Sequence, residues 1–170
     1  MLDVATGTGR DIMYANSLGF KVIGVDNSDG VIDILEKLES EGRIPKGSFA
    51  KCDMRDLPFD DESFDVVRHN SSLLHMPIIA EGYGADKAIS EANRVLARGG
   101  LLQVAVKKGE GLEYVDTDEG LGGRIFQFYN HKMINEILMR NGFTIVYTSD
   151  LVDKRPGGNI EFISVIAQKD

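Results

Sequence analysis

Two glycines one residue apart, Gly7 and Gly9, follow the short apolar run Leu2-Asp3-Val4 and precede a helical pattern that starts near Arg10. Glycine lets a chain turn sharply and lets a ligand lie against the backbone, while the free N–H groups of the next helix face whatever binds there. Strand, glycine turn and helix in that order are the signature of a nucleotide site. A second strand, Lys21 to Asp26, ends in a carboxylate 17 positions beyond Gly9, near the spacing at which an acid reaches ribose hydroxyls. A third strand ends at Lys51-Cys52-Asp53-Met54. A fourth, Phe64 to Arg68, opens into His69-Asn70-Ser71-Ser72, and a Gly99-Gly100 turn feeds a fifth, Leu101 to Val106. Each strand delivers polar residues or glycine at one end, and in an open parallel sheet the crevice lies outside the carboxyl ends.

The elements that must hold these residues alternate. Helices are expected at Arg10 to Leu18, Ser28 to Ser40, Asp86 to Leu96 and His131 to Arg140, from apolar stripes such as Val31, Ile32, Leu35 and Leu38. Ser28 and Asn130 stand at N-cap positions, and Gly142 stops the last helix. Phe143 to Ser149 and Ile160 to Gln168 alternate apolar with polar residues and read as an antiparallel pair joined through Arg155-Pro156-Gly157-Gly158-Asn159. Lys107 to Gly123 is rich in glycine, shows no period, and is expected to be a loop, either a lid over the crevice or a solvated connection.

The order and spacing of these pieces resemble the class I S-adenosylmethionine-dependent methyltransferases, in particular the small-molecule type that includes ubiquinone and menaquinone biosynthesis enzymes. The resemblance runs over nearly all of residues 1 to 170. Asp3, Gly7 and Gly9 match an acid-x-Gly-x-Gly-x-Gly motif with Ala5 in place of its first glycine, an exchange expected to be mild because alanine is small. Leu96-Ala97-Arg98-Gly99-Gly100 matches a Leu-Lys-Pro-Gly-Gly turn, departing at Ala97 and Arg98, and Asp56-Leu57-Pro58-Phe59 and Phe64-Asp65-Val66-Val67 also match. The resemblance implies a Rossmann-like, doubly wound, mostly parallel seven-stranded sheet with an antiparallel C-terminal strand and helices on both faces. It implies S-adenosylmethionine as cofactor and S-adenosylhomocysteine as product. Asp3 would meet the cofactor's ammonium, Asp26 its ribose, Asp53 the adenine amino group and the Met54 N–H an adenine ring nitrogen, with Asn27 and Asn70 completing the set.

A sulfonium already activates its methyl group, so a base is optional and alignment does most of the work. His69, just after the fourth strand, is the candidate base, with a local structural role as its alternative. His75, inside Leu73-Leu74-His75-Met76-Pro77, reads as a packing histidine. Tyr14, Phe126, Phe128 and Tyr129 could line an acceptor pocket, although core packing is the default for aromatic residues at this spacing. The three histidines and Cys52 lack metal-ligand spacing.

Composition bounds the rest. One domain of 170 residues with a net charge of −8 is poorly suited to non-specific phosphate contacts, so nucleic acid is not expected, while a small-molecule acceptor is what the resemblance implies. No apolar run approaches the ~20 residues that span a bilayer, and the single cysteine suits a reducing, cytoplasmic setting. Three classes remain: a small-molecule methyltransferase, a cofactor-binding or inactive partner subunit of that fold, and a nicotinamide-dependent oxidoreductase. The last needs a glycine where Ile12 stands. Family members carry a helical segment before the first strand, whereas Met1 lies two residues before Asp3. That leads to the expectation of either an N-terminally truncated domain or a short form whose missing wall is supplied by another subunit, with an open crevice that favours a homodimer.

Overall fold

Alternating apolar strands with one-sided helices can bury both of their faces only as a layered α/β sheet, and the computed structural model has that form. It describes residues 1–78, 80–115, 124–155 and 158–170. In chain order these form β1 (Leu2–Val4), α1 (Arg10–Ser17), β2 (Ile23–Asp26), α2 (Asp29–Ser40), β3 (Phe49–Lys51), β4 (Phe64–Asn70), α3 (Ala85–Val95) and β5 (Leu96–Lys107). The rest are β6 (Leu112–Val115), β7 (Arg124–Gln127), α4 (His131–Arg140), β8 (Phe143–Arg155) and β9 (Gly158–Lys169). The main sheet has seven strands in the order β3-β2-β1-β4-β5-β9-β8. Strands β1 to β5 pair in parallel, and β9 runs antiparallel to both β5 and β8.

Alternation along the strands sends side chains to two helical layers. Leu2, Val4, Val25 and Val67 pack into one core with Ala88, Ile89 and Ala92 of α3 and Ile134 and Leu138 of α4. On the opposite face α1 and α2 close a second cluster of Ile12, Ala15, Leu35 and Leu38. Gly9 permits this second packing. It caps α1 at φ 73°, and a Cβ there would lie 2.8 Å from Leu35 Cδ2. The Asn130 side chain accepts from Met133 N at the start of α4, and Gly142 ends that helix at φ 77°. Ser28 stands at the N-cap of α2 but makes no side-chain capping bond; its N–H goes to Asp26 Oδ1 instead.

The start of β5 and the expected Lys107–Gly123 loop depart from expectation. β5 begins at Leu96, because Leu96 pairs with Phe64 before the register shifts and Leu101 pairs with Val66. The Ala97-Arg98-Gly99-Gly100 turn is therefore a bulge inside the strand. Part of the expected loop is a hairpin in which Tyr114 opposes Ile125 and Glu113 opposes Phe126; its four-residue strands are too short to show a period among glycines. The rest of that loop, residues 116–123, lies outside the described residues, as do residues 156–157 of the β8–β9 connection.

Asp56 to Phe59 owe their place to a clamp from α3. Arg94 donates to the carbonyls of Leu57 and Phe59, to Asp61 and to Glu91, while Glu91 Oε2 accepts the Leu57 N–H at 3.0 Å. The clamp ties the segment between β3 and β4 to the core. That segment begins beside Met54, so the clamp also holds one wall of the cleft described next.

Candidate functional site

The order of strands reverses between β1 and β4, and a cleft of about 640 Å³ opens at their carboxyl ends. One half is lined by Ala5, Gly7, Asp26, Asn27, Ser28, Val31 and Met54; the other by Ser71, Ser72, His75, Met76 and Ile125. Of the residues expected to bind cofactor, Ala5, Gly7, Asp26, Asn27 and Met54 thus meet in one wall.

Asp26 organises that wall. Its Oδ2 accepts the Gly7 N–H at 3.2 Å and its Oδ1 the Ser28 N–H at 3.0 Å, so the carboxylate bridges the glycine turn and the start of α2. Gly7 adopts φ 56° with nothing within 4 Å of the place a Cβ would occupy, which leaves room for a ligand against the backbone. Ala5 also has positive φ, 57°. The exchange of glycine for alanine is therefore a matter of backbone conformation rather than size, and a left-handed alanine costs about 1 kcal/mol.

Asp3 lies beneath the turn. It is 2% exposed, accepts from Thr6 Oγ1 at 2.6 Å and faces Arg68 Nη1 at 3.4 Å. Burial raises its pKa, with the Thr6 hydrogen bond and then Arg68 opposing. Arg68 also bonds Asp11 in the first turn of α1. Asp3 thus fixes the turn from below, already paired with a cation that sequence reasoning missed; their strands are adjacent but 65 positions apart. Asp53 is drawn toward Arg55, whose Nε reaches Oδ1 at 2.9 Å, and this hydrogen bonding lowers its pKa. Asn70 is exposed at the end of β4, and Gly9 serves helix packing as described.

The expectation of His69 as a base is corrected. Its side chain shares the face of Val67 and is fully buried; Nδ1 bonds Ser72 Oγ at 2.8 Å and Nε2 has no partner among the described residues. The period of two along β4 was the available signal, since it places residue 69 on the core side with residue 67. Burial pushes its pKa down to about 3, so the native state keeps it neutral where the unfolded chain takes up a proton near 6.5. For a depressed folded pKa, stability is fully present above 6.5 and is lost as pH falls toward 3. Urea melts between about pH 6 and 5 should show wild type losing roughly 1 kcal/mol per pH unit more than His69→Asn; parallel slopes would contradict it.

The histidine on the cleft is His75. Its Nδ1 lies 3.2 Å from the Ile125 carbonyl, and its ring packs on Phe126 with centroids 5.0 Å apart. On Phe126 sits Lys107 Nζ, 3.9 Å from the ring centroid. Buried Tyr129 donates to the carbonyls of Leu73 and Met76, and Gln127 accepts the Ile78 N–H. The β6–β7 hairpin and the short 3-10 turn Leu73–His75 therefore form one wall. Tyr14 is 67% exposed on α1, and neither it nor Phe128 lines the cleft.

A family model described as a methyltransferase domain matches residues 2–104. A demethylmenaquinone methyltransferase of Bacteroides fragilis is 29% identical over 166 residues, covering 94% of this chain and 62% of the relative, so the chain spans less than two thirds of that protein. An S-adenosylmethionine-dependent methyltransferase from Methanosarcina mazei superposes with a TM-score of 0.83 at 23% identity, covering 99% of this chain and 91% of that one. The 1,6-didemethyltoxoflavin-N1-methyltransferase of Burkholderia thailandensis, solved with 1,6-didemethyltoxoflavin and S-adenosylhomocysteine, gives 0.76 at 20% identity over 99% of this chain and 69% of that one. At such identities the structural likeness is one of fold. The family match covers more than half of the chain and coincides with the strands that build the cleft, and the chain belongs to the methyltransferase-domain family.

Proposed function

We propose that this chain transfers a methyl group from S-adenosylmethionine to a small-molecule acceptor. The observation that carries this reading is one cleft with two unlike halves: a glycine turn with a strand-end carboxylate on one side, and Ser71, Ser72, His75, Met76 and Ile125 on the other. Its volume falls in the range of small-molecule sites, about 300 to 1,000 Å³. The residues present fit the cofactor. Asp26 would accept from both ribose hydroxyls, Met54 and Asp53 would meet the adenine, with Asn27 beside them, and the open face of Gly7 would receive the amino-acid end above Asp3. The bound sulfonium supplies an activated methyl group and a thioether leaving group.

The chain's own residues align the acceptor and exclude water. Met76 and Ile125 offer apolar contact, which suits an acceptor with an apolar frame, and the B. fragilis relative is named for an acceptor of that kind. His75 replaces His69 as the imidazole at the acceptor end. A carbonyl can only accept, so its Nδ1 carries the hydrogen toward Ile125. The half-buried thiol of Cys52, pushed up to about 11 by burial and then by Asp53, Asp56 and Asp26, suits a reducing cytoplasm.

Calorimetric titration tests the reading. S-adenosylhomocysteine should bind with one-to-one stoichiometry and raise the melting temperature by mass action, and NAD should do neither. Binding of NAD in preference to S-adenosylhomocysteine would reverse the assignment. Turnover with an acceptor separates an enzyme from a cofactor-binding partner subunit.

A further inference from the structure

The two edges of the main sheet are unlike. At one end β3 has three residues, Phe49–Lys51; at the other β8 has thirteen, Phe143–Arg155, and pairs only with β9 among the described residues. A long free edge is a template for another strand, and proteins blunt such edges with shortness, lysine or proline. The middle of β8 carries the opposite. Val146, Tyr147, Leu151 and Val152 are each between 49% and 57% exposed. The charged residue among them, Asp150, is already held by Lys108 Nζ at 2.6 Å and His131 Nε2 at 2.9 Å. The register shift between Ile145 and Tyr147 is a bulge at Val146, which bends the strand there, so a regular ladder on the free side starts at Tyr147.

The strand whose residues fit this edge is β8 itself. In antiparallel pairing only alternate residues turn their N–H and C=O outward, so a twofold axis between two β8 edges must pass through a residue rather than between two. With the axis on Ser149, Tyr147 opposes Leu151 of the second copy, Thr148 opposes its Asp150, and Val146 meets Val152 at either end of the ladder. Every exposed apolar side chain of the strand's middle then faces an apolar partner, and a hydroxyl donor faces a carboxylate. Moving the axis to Asp150 sets that carboxylate against its own copy and Tyr147 against Asp153. Moving it to Thr148 sets Val146 against Asp150 and Tyr147 against Ser149. We infer that the chain forms a homodimer by antiparallel pairing of β8 with β8 about a twofold axis at Ser149, joining two sheets into one. A ladder from Tyr147 to Leu151 is short for an interface, so the dimer is concentration-dependent. The cleft opens at β1 and β4, and β8 lies three strands beyond β4. Each copy therefore keeps its own cleft, and the inference stands apart from the methyl-transfer reading.

Light scattering on the full chain, from low micromolar to near-millimolar concentration, tests this. Wild type should pass from the mass of one chain to that of two. Tyr147→Lys or Leu151→Glu alone should weaken association roughly ten-fold or more, because each sets a charge against an apolar side chain on both sides of the axis. The double variant Tyr147→Lys/Leu151→Glu should recover it, since each lysine then faces a glutamate of the other copy. Tyr14→Lys, at another exposed aromatic, on α1, should dimerise as wild type does. Hydrogen exchange reads the same contact without substitution: amides between Tyr147 and Leu151 should gain protection as concentration rises. A wild type that stays monomeric throughout, single variants that associate as wild type does, a double variant no better than the singles, or no gain in protection along that edge overturns the inference. Loss of the dimer in Tyr14→Lys does so too, by moving the interface to α1.

Discussion

Replacing Asp26 by alanine is expected to weaken S-adenosylhomocysteine binding by about 3 to 5 kcal/mol, a loss of a few-hundred-fold or more. Two hydroxyls of one ribose would bond a single carboxylate, and each such charged hydrogen bond is worth about 1.5 to 3 kcal/mol. The same carboxylate holds the N–H groups of Gly7 and Ser28, so its removal also frees the turn on which the cofactor would lie. Asp26→Asn keeps one acceptor oxygen and should fall between. Asp53→Ala should cost less, because the Asp53 carboxylate is already engaged by Arg55. Calorimetry on the three variants gives the ranking, and an unchanged affinity in Asp26→Ala would remove the ribose assignment.

The second large effect is on stability. Arg94→Met should destabilise the fold by about 2 to 4 kcal/mol, because it leaves Glu91 charged and largely buried with its main partner gone. The Leu57 and Phe59 carbonyls lose their donors in the same step. The Glu91 pKa is lowered chiefly by its hydrogen bond to Arg94. A depressed carboxylate contributes stability that is present above the unfolded value of 4.5 and is lost as pH falls through the folded value. The gap between wild type and Arg94→Met should therefore be widest at neutral pH and narrow as pH falls below 4.5 through the folded value, leaving the part owed to the two carbonyls. Urea titrations at pH 7 and at successively lower pH below 4.5 measure it; a gap that does not narrow at all over that range would mean that the charge on Glu91 is not its source. Glu91→Gln should cost less, since an amide oxygen can still accept the Leu57 N–H.

Much of this arrangement could be read from the chain. Residues 131 to 140 form a helix because an Asn cap, an apolar stripe and a glycine stop agree over ten residues, and Asp26 declared itself by standing at a strand end at the right distance from Gly9. What escaped reading depended on contacts between distant residues or on orientation. The Arg68–Asp3 pair exists because β1 and β4 are neighbours in register, which local sequence cannot state. His69 and His75 are both histidines near one strand end; the alternation of β4 turns the first into the core, while the short 3-10 turn brings the second onto the cleft. Ala5 passed as a small residue because φ is not visible in side-chain volume.

The adjacency of β1 and β4 also bears on how the chain folds. β1 has three residues and pairs on both sides, Leu2 with Ile23 in β2 and with Val67 in β4. So short a strand cannot persist alone, and its second partner lies across a closure of more than sixty residues, whose entropy must be spent before any pairing rewards it. The β8–β9 hairpin has no such requirement, since its strands are neighbours in the chain. Folding can therefore start at that end of the sheet, while the middle waits on the slowest search. The turn at Ala5 to Gly9 acquires its shape only when β1 is seated, so the binding end depends on that non-local closure.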